Sequence, residues 1–189
     1  MSLVQAIPKS LIYEMDGDTP IYYAGYREVL IGNKNIDDIM GASGLQSFLV
    51  TDITGLLLQA IGRAYRIGAS ELGLQLEKGY RSADIAIFER SQLKSLPTLK
   101  KYIPTPPKVV IEVDIKADQS EAVDPTGYFH RKTDQLLAHG VEQVIWIFTE
   151  TQKVTIARPD RPWLTISWTE PFEVLGVSID VASIVEEMI

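Results

Sequence analysis

The spacing of apolar residues predicts a chain of alternating strands and helices. Between residues 45 and 66 the apolar side chains recur three and four positions apart, which is typical of an amphipathic helix. The segments 72–77 and 81–88 are rich in strand-forming residues, and Gly79 and Tyr80 between them suit a hairpin or bulge turn. Because residues 92–108 contain four prolines, they predict a loop.

Residues 108–148 predict a strand, a helix and a second strand in succession. The run KVVIEVDIK (108–116) begins as a buried strand, and residues 126–139 predict a helix that stops at Gly140. The apolar run 141–148 has the length of a central strand. Since this order is that of a βαβ unit, we expect the two strands to be parallel. The pattern therefore predicts an α/β or α+β fold with a mixed sheet.

Size and composition favour one domain. The chain has 189 residues, of which 46% are hydrophobic and 23% are charged, as in an ordinary globular protein. We expect a single domain over residues 1–189. Within it, residues 1–40 combine short strand signals with turns and predict an N-terminal arm that packs on a core at about 41–189.

Composition also limits the cellular compartment and the binding partners that we expect for the protein. The lack of Cys excludes disulfides and Cys-based zinc sites. The N-terminus shows no secretory signal, and polar residues interrupt the apolar stretch 45–65 before it reaches the roughly 20 residues that span a bilayer. We therefore expect a cytoplasmic protein with no membrane partner. The formal charge of −7 argues against a general nucleic-acid coat but leaves room for a local basic groove.

Three carboxylates, Asp84, Glu112 and Asp114, lie in predicted strands. Glu112 and Asp114 are two positions apart, so an extended strand would place them on one face. Like charges this close raise one another's pKa unless a cation lies between them, and magnesium prefers such oxygen ligands. A nearby lysine would assist the attack of water on a phosphate. The alternative is that Glu112, Asp114 and Lys116 form the solvent-facing side of a half-buried sheet.

At these residues the sequence resembles the PD-(D/E)XK nuclease superfamily and, within it, the Uma-type family of restriction-endonuclease-like proteins. The likeness extends over most of the chain and includes YEMDG (13–17), RSADIAIF (81–88), PPKVVIEVDIKAD (106–118) and YFHRKTDQLLAHGVEQVIWIF (128–148). The resemblance implies a restriction endonuclease-like core, with a mixed central sheet flanked by helices and an N-terminal arm.

The resemblance also implies a set of site residues, with two registers left open. The first acid of the family falls on Asp84. If Glu112 is the second acid, the lysine is Lys132 on the predicted helix. If Asp114 is the second acid, Lys116 completes the motif directly. The N-terminal glutamate of the family matches Glu14, and Gln46 stands where the family often has a histidine.

The implied activity is that of a metal-dependent endonuclease that hydrolyses phosphodiester bonds in DNA. Magnesium, with manganese as an alternative, would be held by Asp84, Glu112 and Asp114, and Lys116 or Lys132 would assist the attack of water. We expect DNA as partner and a homodimer in which one site meets each strand. The alternatives are a catalytically silent nuclease fold that binds a protein or nucleic acid, favoured by the acidic pI, and a structural homo-oligomer.

Several basic residues are candidates for a DNA path, although a solvated surface explains most of them equally well. They are Arg63, Arg66, Lys78, Arg81, Lys100, Lys101, Lys108 and Arg131.

Overall fold

The computed structural model of the protein describes residues 7–119 and 127–188. Its strands are β1 (Ile12–Asp16), β2 (Thr19–Tyr22), β3 (Tyr65–Gln75), β4 (Gly79–Glu89), β5 (Val109–Val113), β6 (Gln143–Phe148), β7 (Lys153–Arg158), β8 (Arg161–Ser167), β9 (Phe172–Val174) and β10 (Val177–Ile179). Its helices are α1 (Tyr26–Leu30), α2 (Asp37–Met40), α3 (Gly44–Ile61), α4 (Arg90–Lys94), α5 (Gly127–His139) and α6 (Val181–Glu186).

Eight of these strands form one mixed sheet. Its order is β2-β1-β4-β5-β6-β7-β8, and β3 also pairs with β4. β5 and β6 are parallel, whereas the other pairs of this sheet are antiparallel. The predicted parallel pair and the predicted α/β fold with a mixed sheet are therefore confirmed. The β1–β2 hairpin extends this sheet at one edge.

Helices cover both faces of the sheet. On one face, Leu49, Ile53 and Leu57 of α3 pack into an apolar cluster with residues of β4, β5 and β6. On the other face, Leu136 of α5 belongs to a second cluster that includes Trp146 of β6. Because both faces of β5 are covered, all five of its residues are buried. A charged side chain on this strand therefore lies in the protein interior.

The helix predicted over residues 45–66 is α3. Ser43 caps it by accepting a hydrogen bond from Gln46 N at 3.2 Å. The helix ends at Ile61, because residues from Tyr65 onward already belong to β3. Among the described helices, α3 alone is long and apolar enough to cross a membrane, with a mean hydropathy of 1.3. Core helices of soluble proteins meet the same criterion, and α3 buries Leu49 against the sheet.

The strand predicted over 108–116 is shorter than expected. β5 ends at Val113, and Asp114 adopts a positive φ of 59°. This left-handed conformation ends the strand, so the regular alternation on which the shared face of Glu112 and Asp114 was predicted stops before Asp114. The helix that follows ends as predicted, since Gly140 has a φ of 112° that favours glycine.

Candidate active site

The candidate site lies at a break in the strand pairing of β4. One edge of β4 pairs with β3 over residues 80–89. On the other edge, β1 pairs only with Gly79 and Tyr80, and β5 only with residues 85–87. Residues 81–84 therefore have no strand partner on that edge within the described chain. Their backbone groups need other partners, and a carboxylate accepts the hydrogen bond of Ser82 N.

Two carboxylates from neighbouring strands bridge this break. Glu14 Oε1, on β1, accepts a hydrogen bond from Ser82 N at 2.9 Å. Asp84 Oδ2 accepts one from Val113 N, at the end of β5, at 2.8 Å. Both carboxylates are buried. Since buried N–H groups require acceptors, these bonds fix both acids between β1, β4 and β5.

Lys132, on α5, lies between Glu14 and Glu112. Its Nζ is 2.8 Å from Glu14 Oε1 and 3.0 Å from Glu112 Oε1, and its side chain is only 1% exposed. The rings of Tyr13 and Trp146 lie 5.7 and 5.5 Å from the same Nζ. Aromatic faces at this distance stabilise a buried cation. The ammonium is therefore held by carboxylates and rings together.

Glu14 has further partners in the interior. Arg81 Nη1 lies 3.0 Å from its Oε2, and the Tyr128 hydroxyl donates a hydrogen bond to the same oxygen at 2.7 Å. Arg81 also pairs with Asp16 at 3.4 Å and bonds Gln135 Oε1. Because Arg81 is buried and fully engaged, the expectation that it lines a DNA path is wrong. It anchors Glu14 instead.

A second lysine, Lys116, is shared by two carboxylates on the solvent side of the group. Its Nζ lies 3.0 Å from Asp84 Oδ1 and 3.0 Å from Glu71 Oε1. The three residues border a cavity of about 300 Å³, together with Gln46 and Thr51 of α3. At 17% exposure, the Lys116 side chain is the more accessible of the two lysines. A ligand in this cavity would meet Lys116 directly.

Burial and the neighbouring charges favour the protonated form of the Glu112 carboxyl. Burial raises the pKa of Glu112 to about 8; Lys132 acts against this effect, whereas Asp84 and Glu14 add to it. Burial by itself would lower the pKa of Lys116 and of Lys132, but their carboxylate partners outweigh burial, and both pKa values lie above the ordinary range. These pKa shifts favour the protonated form of Glu112 and the charged form of both lysines near neutral pH in the metal-free protein.

The donor set of this group fits a magnesium ion. Asp84 and Glu112 supply carboxylates, and the neighbouring Val113 carbonyl accepts a hydrogen bond from Gln46 Nε2. The Lys132 ammonium lies 3.0 Å from Glu112 Oε1, so a cation bound at this oxygen would share it with the lysine. Across residues 7–119 and 127–188, no three His, Asp or Glu side chains are grouped to hold a metal. Magnesium needs no such cage, because it takes one or two carboxylates and keeps several waters.

Asp114 lies apart from this group. Its carboxylate accepts hydrogen bonds from Thr149 N at 2.8 Å and from Thr149 Oγ1 at 2.7 Å. It borders another cavity, which Phe148 also lines. The structure brings together the other four residues named from the sequence: Asp84, Glu112, Lys116 and Lys132.

Sequence reasoning missed two members of the group, Tyr128 and Glu71. Tyr128 stands four residues before Lys132, so the two share a face of α5, and this spacing was a usable signal. Glu71 lies in a predicted gap between helix and strand, and nothing in its surroundings marked it. Its position depends on a bulge in β3.

Comparison with known proteins agrees with the fold. The model of the Uma2 family, described as "Putative restriction endonuclease", matches residues 37–181. A crystal structure of "a putative nuclease belonging to DUF820 from Anabaena variabilis ATCC 29413" is similar with a TM-score of 0.65 at 16% sequence identity, over 78% of this chain and 84% of that chain. At this identity the likeness shows the fold alone, and the predicted restriction endonuclease-like fold is confirmed. None of the curated proteins compared with this chain matches it.

Proposed function

Because the chain belongs to the Uma2 family, we propose that it is a metal-dependent endonuclease that hydrolyses phosphodiester bonds in DNA. The observation that carries this proposal is the pair of buried carboxylates, Asp84 and Glu112, at the break in β4, with Lys132 3.0 Å from Glu112. Two acids and a lysine in one preorganised group are suited to magnesium-assisted phosphodiester hydrolysis.

Asp84 and Glu112 would hold the magnesium ion, with manganese as a substitute. When bound, the ion would lower the pKa of a coordinated water and offset negative charge on the phosphate. Asp114 is left out of the proposed ligand set, because its carboxylate is bonded to Thr149 and borders a different cavity from that of Asp84. This arrangement favours the register in which Glu112 is the second acid.

The two lysines have different roles in this proposal. Lys132 approaches Glu112 from the protein interior, fixes the orientation of its carboxylate and adds positive charge near the reacting phosphate. Lys116 borders the cavity and is partly exposed, so a phosphate oxygen can reach its ammonium. Lys132 is therefore the proposed catalytic lysine of the buried group, and Lys116 a binding residue for the phosphate.

A second candidate function is a catalytically silent nuclease fold that binds a protein or nucleic acid. The observation that favours it is that lysines already pair with both acids, Lys116 with Asp84 and Lys132 with Glu112. A chain that never binds metal would need such internal cations to offset its buried carboxylates. Metal binding separates the two candidates.

The test is calorimetry with magnesium and manganese on the wild-type protein, Asp84→Asn, Glu112→Gln and the matched control Asp114→Asn. We expect binding in the wild type and the control, and loss of binding in the other two variants. Supercoiled plasmid cleavage should follow the same order. No binding by the wild type at millimolar metal, even with DNA present, would favour the silent fold. Equal loss in the Asp114 variant would reject the proposed ligand set.

The choice of substrate and the oligomeric state are separate parts of the proposal. Plasmid DNA and an RNA of equal length, incubated with the same protein and metal, would show which one is cleaved, and we expect DNA. We also propose a homodimer, because nucleases that cut duplex DNA often act as symmetric dimers in which one site meets each strand. Light scattering after size exclusion measures this directly, and a monomer at cleaving concentrations would contradict it.

A further inference from the structure

Beside the acids already described, Glu71 is held in the cavity by a strained bulge of β3. The pairing of β3 with β4 shifts register between Ala69 and Leu72. The two residues between them, Ser70 and Glu71, have positive φ values of 66° and 58°. Neither is glycine, so both occupy a sparsely populated backbone conformation. Strain of this kind persists where the surrounding structure requires it, and it is common at functional sites.

The bulge directs Glu71 to Lys116. Glu71 Oε1 lies 3.0 Å from Lys116 Nζ, and both side chains border the cavity of about 300 Å³ that also contains Asp84. The backbone of Lys116 is fixed as well, because its carbonyl accepts a hydrogen bond from Ala24 N at 2.8 Å. The lysine therefore has an anchored backbone and two carboxylate partners for one ammonium.

These two partners differ in what metal binding would do to them. Asp84 is a proposed metal ligand, and its Oδ1 is the oxygen that Lys116 contacts. A divalent cation at Asp84 would repel the ammonium and compete for that oxygen. Glu71 lies on β3, which pairs with the other edge of β4, and it is not one of the proposed metal ligands. It can keep its contact with Lys116 while Asp84 gives up its own.

We propose that Glu71 is a positioning residue: it retains the Lys116 ammonium at the cavity when Asp84 binds metal, so that the lysine stays directed at the phosphate. This inference rests on the proposed function, because it assumes a metal at Asp84. It adds a role that the acids and Lys132 do not supply. This role would also account for the strained bulge. A surface ion pair alone would not require two residues in the left-handed region.

The test follows the reactivity of the Lys116 amine toward an acylating reagent, measured by peptide mass spectrometry with and without millimolar magnesium. The wild type is compared with Glu71→Gln, and calorimetry records metal binding by both proteins. In the wild type, Lys116 should stay protected in both conditions. In Glu71→Gln it should stay protected by Asp84 without metal and become about fivefold more reactive with metal, as expected for loss of a contact near 1 kcal/mol.

Lys108 provides the internal reference for this measurement. It too is shared by two carboxylates, Glu89 at 3.1 Å and Glu142 at 2.5 Å, but they lie away from the proposed metal ligands. Its reactivity should be the same in all four samples. Circular dichroism and the urea midpoint confirm that Glu71→Gln is folded.

The possible outcomes separate this inference from the proposed function. Two outcomes would overturn the positioning role and leave the nuclease proposal intact. In the first, magnesium makes Lys116 of the wild type more reactive. In the second, Glu71→Gln binds magnesium but its Lys116 stays as unreactive as before. If Glu71→Gln alone fails to bind metal, Glu71 is itself a ligand and the inference is likewise overturned. If neither protein binds metal, both proposals fail.

A second variant tests the assumed competition between Lys116 and the metal ion for Asp84. Lys116→Met removes the ammonium that competes with metal for Asp84, so we expect tighter manganese binding by calorimetry than in the wild type. Weaker binding would show that Lys116 helps to hold the ion, and the proposed competition would be wrong.

Discussion

The protonated state of Glu112 makes the stability of the metal-free protein depend on pH. Burial raises the pKa of this carboxyl from 4.5 to about 8, with Lys132 opposing and Asp84 and Glu14 reinforcing the shift. Because the folded-state pKa lies above the unfolded one, the folded protein keeps a proton that the unfolded chain releases. The stabilising contribution is therefore fully present below pH 4.5 and is lost as the pH rises through about 8.

The size of this effect follows from the two pKa values. Within the window between them, the free energy of unfolding falls by about 1.4 kcal/mol per pH unit. Between pH 5 and pH 8 the loss amounts to roughly 3 to 4 kcal/mol. Since a domain of this kind is stable by about 5–15 kcal/mol in total, such a change is easily measured.

Urea unfolding at steps between pH 5 and pH 8, with a chelator present, measures the predicted slope. Glu112→Gln keeps the shape of the side chain but cannot ionise, so its slope should lack the Glu112 contribution. Burial lowers the pKa of His139, which gives a slope of the opposite sign at acid pH, but this contribution is common to both proteins and cancels in the difference. Asp114→Asn serves as control and should retain the wild-type slope. Equal slopes in the wild type and Glu112→Gln would refute the reasoning.

Three further changes test other parts of the structure. Lys132→Met removes the ammonium that Glu14 and Glu112 share, although Glu14 keeps Arg81, and urea unfolding should show a loss of about 1.5–3 kcal/mol; a loss no larger than that of Lys116→Met would contradict this. Ser43→Ala removes the cap of α3 and should cost about 1 kcal/mol by the same method. Thr149→Val removes a hydroxyl donor from Asp114 and should cost about 1–3 kcal/mol. Calorimetry should show metal binding unchanged in that last variant.

The fold was largely predictable because its elements are encoded locally. The apolar runs of β5 and β6 and the helix between them predicted a parallel pair, and the pairing of Val109 with Gln143 begins that pair in the structure. Gly140 marked the end of α5. Each of these signals depends on neighbours within a few residues, which a single sequence displays.

The composition of the site was less predictable because it depends on sheet order and on single backbone conformations. Glu14 meets Lys132 only because β1 and β5 pair with the same edge of β4, a long-range fact with no local signal. Asp114 leaves the group because one positive φ turns its carboxylate to Thr149. A strand pattern assumes regular alternation, and one left-handed residue is enough to break it.

Under the proposed function, the charges of the group would allow an acidic protein to receive a phosphate when metal is bound. The carboxylates of Glu14, Asp84 and Glu71 are each paired with Lys116, Lys132 or Arg81. Magnesium binding at a protonated Glu112 would add two positive charges and displace one proton, so the charge of the group would rise by one. Under the proposed function, a chain with a net charge of −7 would thus gain positive charge locally where metal is bound. This coupling would restrict phosphate binding to the metal-loaded site and makes a broad basic surface unnecessary for catalysis.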